Sequence, residues 1–428
     1  VPVTTRTRFR YRGAAVAGAA LILLAPAVPA AAASPAAPGD QHPGKSHGTA
    51  ELRLATFNAS LNRATEGELS ADLSTPDDAQ AAAVAEVIQR AHPDIVLVNE
   101  FDYVADGSAL RDFRKNYLEV PHNGAPGIRY PYAFTAPVNT GVPSGMDLNN
   151  DGSIGGGDDA YGFGLFPGQY GLAVFSKYPI DTRSVRTFQK FLWRDMPGAL
   201  LPDDPATAAP ADWYSPDELA KFRLSSKSHW DLPVKIGRET LHVLVSHPTP
   251  PSFDGAEDRN GTRNHDEIRF WADYIGAPGR ARYIYDDAGR HGGIARGADF
   301  VIMGDQNSDP LDGDSVPGAI QQLIDNPRLT DPKPTSTGAP EAAVLQGGVN
   351  ATQKSNPIYD TADFSDVPSP GNLRADYVLP SKSLRVKDSA VFWPQRSDPL
   401  SRLTGEYPFP TSDHRLVWVD VQQRGHGR

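Results

Sequence analysis

The chain has 428 residues, 39 % of them hydrophobic and 22 % charged, and no cysteine. That composition is ordinary for a globular protein and the length allows one large layered domain; it excludes disulfides, cysteine nucleophiles, thiolate metal sites and iron–sulfur chemistry. The formal net charge of −11 argues against a general nucleic-acid binder, whose surface must attract phosphates, although a local basic cleft or a bound cation can reverse the field in a nuclease.

Residues 1–33 read as a Sec-type signal peptide. Arg6, Arg8, Arg10 and Arg12 form a basic start, Ala14 to Ala25 an apolar run, and Ala30 to Ala33 a set of small-residue cleavage sites. The apolar run is shorter than the ~20 residues that span a bilayer. A secreted protein with no transmembrane segment after cleavage is therefore expected, an uncleaved N-terminal anchor being the alternative. The twin-arginine route lacks its adjacent arginine pair. Residues 34–50 are rich in Pro, Ala and Gly and predict a disordered leader, in which His42 and His47 are incidental.

Residues 51–428 alternate strands and helices. Leu52–Phe57 predicts a strand, Asp77–Ala91 a helix capped by Thr75, and Ile95–Val98 a buried strand. Further strands are expected at Leu172–Phe175, Trp230–Ile236, Thr240–Val245, Phe300–Met303, Tyr377–Leu379 and Leu416–Val419. Ile268, Trp271 and Ile275 give Asn264–Ile275 a helical period. Gly and Pro, at 39 each, predict long loops. Two inserts, near 143–168 and 191–230, are expected either to shape a substrate site or, equally for the second, to decorate the surface.

One pattern recurs: an apolar strand runs directly into a polar or acidic residue. Asn58, Glu100, His247, Asp305 and Asp376 all lie at or beside a strand end, where rigid sheets position functional side chains. In Gly304-Asp305-Gln306-Asn307 the carboxylate would orient or deprotonate a water and the amide would donate to a phosphoryl oxygen; a plain turn explains the motif alone equally well. His247 suits protonation of a leaving oxygen. Asp376 would orient His414 as in a carboxylate–imidazole dyad. Glu100 is the best metal ligand, since hard Mg²⁺ or Mn²⁺ takes carboxylate oxygens.

Taken in order, Phe57-Asn58, Asn99-Glu100, Ser246-His247, Gly304-Asp305-x-Asn307, Arg374-x-Asp376-Tyr377 and Ser412-Asp413-His414 resemble the motifs of the endonuclease/exonuclease/phosphatase superfamily, over roughly residues 51–422. That family includes deoxyribonucleases, abasic-site endonucleases, inositol-polyphosphate phosphatases and bacterial sphingomyelinases. The resemblance implies a four-layered α/β sandwich with two central mixed β-sheets flanked by helices. It implies Mg²⁺ on Glu100, with Asn58 and Asp413 beside it. Asp305 and Asn307 would handle the attacking water and phosphoryl oxygens. His414, supported by Asp376, would contact phosphate or act as base, and His247 would help the leaving group. Gln306 departs from the apolar residue frequent there.

Two further sets stand outside those motifs. Asp147, Asn149, Asp151, Ser153 and Asp158, with Gly152 at the sharp turn, resemble an EF-hand or dockerin loop and predict a structural Ca²⁺; a plain Asn/Asp/Gly turn is the alternative. Arg259, Arg263, Asn264 and His265 would contact a phosphate or its substituent, with helix capping by Asn264 as the alternative; Lys227, Ser228 and His229 are a weaker set of the same kind. No G-x-S-x-G elbow supports a serine hydrolase. The expected protein is a monomeric metal-dependent phosphodiesterase for small phosphoesters of the glycerophosphodiester, phospholipid head-group or inositol phosphate type. Nucleic acid is a less favoured substrate, and a non-catalytic calcium-binding module is less favoured still.

Overall fold

Short runs rich in Leu, Val and Ile make the strands, and their alternation decides which side each residue faces. In the computed structural model, which describes residues 51–367 and 369–423, the strands in chain order are β1 (Glu51–Asn58), β2 (Ile95–Asn99), β3 (Tyr132–Phe134), β4 (Leu172–Ser176), β5 (Arg186–Thr187), β6 (His229–Ile236), β7 (Glu239–Ser246), β8 (Asp299–Asp305), β9 (Ala362–Asp363), β10 (Asn372–Leu373), β11 (Asp376–Pro380), β12 (Leu384–Val391) and β13 (Val417–Gln423). The expected signal peptide and leader lie outside the described residues. Of the two large sheets, one has the order β12-β13-β1-β2-β4-β3 and the other β11-β8-β7-β6-β5, while β9 and β10 pair as a separate two-stranded ribbon. The pairs β1–β2 and β7–β8 are parallel and their other neighbours antiparallel, so both sheets are mixed.

The sheets face each other across a core that includes Leu52, Leu54, Leu97, Leu232, Val243 and Val301. The opposite parity of β1, Ala55 and Phe57, packs with Val84 and Ile88 of the helix Ala79–Ala91. On the far side, the helix Arg259–Tyr274 brings Ile268 and Trp271 against Leu244, Phe300 and Ile302 of the second sheet. The result is the expected sandwich of helix, sheet, sheet and helix. No helix among the described residues is long and apolar enough to cross a membrane.

Three local expectations are corrected. The first helix begins at Ala79, not Asp77, because Asp78 is its cap: the carboxylate accepts from the Ala81 amide at 2.7 Å. Thr75 instead offers its carbonyl to the Tyr117 hydroxyl at 2.5 Å. The second helix starts five residues early, at Arg259; its opening turns are polar because Arg263 and Asn264 bond backbone carbonyls of neighbouring segments. Strand β12 escaped the sequence reading: only its end residues Leu384 and Val391 are buried, and it is bulged between Val386 and Asp388.

His229, proposed beside Lys227 as a phosphate contact, is a core residue. Its Nε2 donates to the Glu267 carbonyl at 2.9 Å, Nδ1 lies 2.6 Å from Ser225 Oγ, and the ring packs on Phe270 and Trp271. Burial pushes the imidazole from 6.5 down to about 4. The unfolded chain therefore takes up a proton first, and stability present above pH 6.5 is lost as the pH falls toward 4, by roughly 3 kcal/mol at ~1.4 kcal/mol per pKa unit. Melting temperatures between pH 7 and 4 should fall less steeply in His229→Gln than in the wild type; parallel curves would refute this.

Candidate active site

Topology explains why distant strand ends meet. In each sheet the C-terminal ends of the parallel pair and the N-terminal ends of their antiparallel partners share one edge. That edge collects Asn58 from the end of β1, Glu100 just after β2, His247 just after β7, and Asp305 from the end of β8. Asp376 opens β11 directly opposite Asp305 in the register. Asp413 and His414 precede β13, whose Val417 pairs with Thr56. Gly304 is required by close packing: a Cβ there would sit 2.0 Å from the Ser246 carbonyl oxygen, and its φ is +150°.

Asp305 is the hub. Its Oδ2 accepts from Asn58 Nδ2 at 3.0 Å and lies 3.4 Å from His247 Nε2 and 3.5 Å from His414 Nε2. Its Oδ1 accepts from the Asn307 amide at 2.8 Å. Burial pushes the Asp305 carboxyl up to about 7, against the pull of His414 and with the repulsion of Asp376. His414 Nδ1 bonds Asp376 Oδ2 at 2.8 Å, and Thr361 Oγ1 donates to the same oxygen at 2.8 Å. Burial alone would lower the His414 imidazole, but the carboxylates of Asp376 and Asp305 hold it well above its ordinary value. Its ring lies between two acids.

His247 is the opposite case. Burial, reinforced by Lys227 and His414, drives its imidazole well below the usual range. The ring faces Asp305, with Nε2 3.4 Å from Oδ2. Asn307 has a φ of +50°, and its Nδ2 donates to the Pro248 carbonyl at 3.1 Å. It still lines the same cleft as Asp305.

Asp305, Asp376 and His414 offer ligand atoms within 4.8 Å of one another, a spacing that could hold a metal ion. Two members of that group, His414 and Asp376, are already hydrogen-bonded to each other at 2.8 Å. Glu100 fits a hard cation better. Its two oxygens accept from Asn58 Nδ2 at 3.1 Å and Asn62 Nδ2 at 2.8 Å. Burial first, then the nearby Asp413 carboxylate, raise its pKa. A divalent cation would relieve both, and carboxylate oxygens are the donors that Mg²⁺ takes.

The sequence model of the Endonuclease/Exonuclease/phosphatase family matches residues 55–414. The chain belongs to that family. Solved structures similar to it include an endonuclease/exonuclease/phosphatase from Beutenbergia cavernae, 17 % identical, covering 88 % of this chain and 72 % of that one, with a TM-score of 0.45. Sphingomyelinase C from Streptomyces griseocarneus is 15 % identical over 88 % of this chain and 100 % of that one, TM-score 0.41. Beta toxin from Staphylococcus aureus, solved with bound magnesium ions, is 13 % identical over 88 % and 100 %, TM-score 0.40. These similarities are too low to carry a substrate from one protein to another. No curated protein matches the chain. Family members hydrolyse phosphoester bonds with the help of metal ions.

In this member the cleft has walls of its own. Both inserts reach it: Leu148 and Phe163 come from the first, Tyr214, Phe222 and Lys227 from the second. The second insert therefore shapes the site as well as the surface. Lys227 is buried, and among the described residues its ammonium has no hydrogen-bond partner; burial lowers its pKa against the pull of Glu267, Glu100 and Asp305. Asn62, Thr361 and Asp102 were not foreseen. Asp102 clamps the cleft's loops by accepting from the Arg63 and Tyr170 amides. Only tertiary contacts reveal these three.

Of the four predicted substrate contacts, Arg259 and Arg263 line the cleft and Asn264 and His265 do not. Arg259 is paired with Glu257. Arg263 is spent on the carbonyls of Leu224, Tyr161 and Arg223, and Asn264 on those of Thr249 and Gln306. His265 bonds Asp266 at 3.0 Å. Gln306 points behind the site, to Ser246 Oγ at 3.3 Å.

The residues of the expected calcium loop are hydrogen-bonded to one another. Asp147 accepts from the Asp151 and Gly152 amides at 3.1 and 2.9 Å, and Asp151 from the Ser153 amide at 2.8 Å. Asn149 Nδ2 donates to Asp151 at 3.1 Å. Asp158 is exposed and lines the catalytic cleft; the residue that closes the loop is Asp159, which accepts from the Leu148 and Gly155 amides at 2.7 Å each.

Proposed function

We propose that this protein is a secreted, monomeric, divalent-metal-dependent phosphodiesterase that hydrolyses small phosphate esters of the glycerophosphodiester, phospholipid head-group or inositol phosphate type. The observation that carries the reading is the Asp305–His414–Asp376 cluster set beside Glu100 in one cleft. A bound Mg²⁺ or Mn²⁺, held by Glu100 with Asp413 and Asn58 beside it, would act as a Lewis acid on a phosphoryl oxygen.

The chain's own residues supply the rest. Asp305, raised toward neutrality, accepts a proton from the attacking water as its oxygen bonds to phosphorus. The ester P–O bond breaks on the opposite side. His414, kept protonated by Asp376, and the Lys227 ammonium face the negative charge that develops on the phosphoryl oxygens. His414 is also the protonated group from which a leaving alkoxide can take its proton. The acidic net charge and the inserts that wall the cleft favour a small ester over a polynucleotide.

Purified protein should be assayed with Mg²⁺, Mn²⁺ and Ca²⁺ on plasmid DNA, RNA, bis-p-nitrophenyl phosphate, glycerophosphodiesters and phosphomonoesters. Small diesters are expected to react fastest; faster cleavage of DNA would overturn the ranking. A structural Ca²⁺ in the Asp147–Asp158 loop is part of the same reading. After chelation, added Ca²⁺ should raise the melting temperature and protease resistance where Mg²⁺ does not, and no response would remove calcium from the account.

A further inference from the structure

Phe253 combines two costs that its surroundings do not offset. The residue is 87 % exposed, and its backbone adopts φ +69°, a region that bulky residues rarely enter. The loop that holds it is braced. Asn260 donates its backbone amide to Asp254 at 2.7 Å and its side-chain amide to the Ser252 carbonyl at 2.8 Å. Pro250 and Pro251 stiffen the approach. Strain held by a braced loop marks a position used for something other than packing.

Phe253 lines the cleft that contains His247, Asp305 and His414. That cleft has a volume of about 670 Å³, and Leu148, Phe163, Tyr214 and Phe222 also line it. The last two rings are in contact, with centroids 4.8 Å apart. Its charged rim does not suit a second anion: Asp158 and Asp314 are exposed there, and Arg259 is neutralised by Glu257. Apolar walls beside a phosphate-processing centre, with acids at the mouth, select an uncharged apolar group on the phosphate.

We propose that Phe253 is a substrate-contacting specificity residue, and that the substrate is a phosphodiester bearing an uncharged apolar or aromatic substituent that lies against its ring. This rests on the phosphodiesterase reading above. The test uses p-nitrophenyl phosphodiesters of one leaving group whose second substituent is methyl, phenyl or carboxyphenyl, with Mg²⁺. The wild type should show a lower KM for phenyl than for methyl or carboxyphenyl. Phe253→Gly, which suits the positive φ and removes no buried contact, should raise KM for the phenyl ester about tenfold, with kcat within about twofold and the methyl ester unaffected. Phe253→Tyr should keep the wild-type preference. An unchanged phenyl-to-methyl KM ratio in Phe253→Gly, or a wild-type preference for carboxyphenyl, would overturn the proposal. If the wild type hydrolyses none of these esters, the phosphodiesterase reading fails, and calorimetric binding decides this proposal separately. Tighter binding of diphenyl than dimethyl phosphate that is lost in Phe253→Gly supports it, and equal binding overturns it.

Discussion

Asp305→Asn is expected to lower kcat by about 10²–10⁴-fold while the protein stays folded. Asn keeps the shape of the side chain but cannot take a proton from water. The carboxylate oxygens accept from Asn58 Nδ2 and the Asn307 amide. Asn can satisfy only one of these with its oxygen, a loss of about 1–3 kcal/mol. Against that, Asn escapes the desolvation that pushes the Asp305 carboxyl from 3.8 up to about 7. The sign of that shift matters. The native state retains a proton that the unfolded chain has released, so this group favours folding most below pH 3.8, and its contribution fades as the pH rises through about 7. Urea unfolding in chelator should accordingly show a weaker fall in stability across that interval for Asp305→Asn than for the wild type. Near-wild-type kcat in a folded variant would remove Asp305 from the chemistry.

Glu100→Gln should raise the Mg²⁺ concentration needed for half-maximal rate by about 100-fold or more. Loss of an outer partner of a ligand already costs about 10–100-fold in metal affinity, and Glu100 would be the ligand itself. Gln keeps an acceptor for one of the donors from Asn58 and Asn62 but lacks the charge that a hard cation requires. Two measurements check it: rate against Mg²⁺ concentration, and the Mg²⁺-induced rise in melting temperature, which should shrink in the variant. An unaltered Mg²⁺ response would place the metal elsewhere, with the Asp305, Asp376 and His414 group the next site to test.

Much of the sandwich was legible because its strands are apolar runs that stop on a polar residue. β1, β2, β7 and β8 all end that way, and the order of the motifs along the chain carried the family. Partnerships between loops were not legible. Nothing near Glu100 in sequence announces Asn62, and nothing near Asp376 announces Thr361, because each pair is created by the packing of separate segments. Protonation was hidden for the same reason. His247 and His414 look alike as residues, yet burial dominates one, with Lys227 and His414 adding to it, while the other lies between two carboxylates, so they are driven in opposite directions. The first turns of the helix Arg259–Tyr274 misled because polar side chains there act as internal braces, and amphipathic periodicity is blind to that use.

Five non-glycine residues that line the cleft have positive φ: Ser60, Glu100, Tyr170, Phe253 and Asn307. Each conformation costs roughly 1–3 kcal/mol, so the region around the reaction is held by the remainder of the sandwich rather than by its own preferences. The wall and the floor of the cleft also have different origins. The groups that meet phosphorus hang from the edges of two sheets, while the surfaces that meet the rest of the substrate come largely from insertions between strands. Lineages that keep Lys227 can therefore exchange most of one without disturbing the other: a descendant acquires a new diet by rewriting the rest of residues 143–168 and 191–230 while inheriting its hydrolytic apparatus intact.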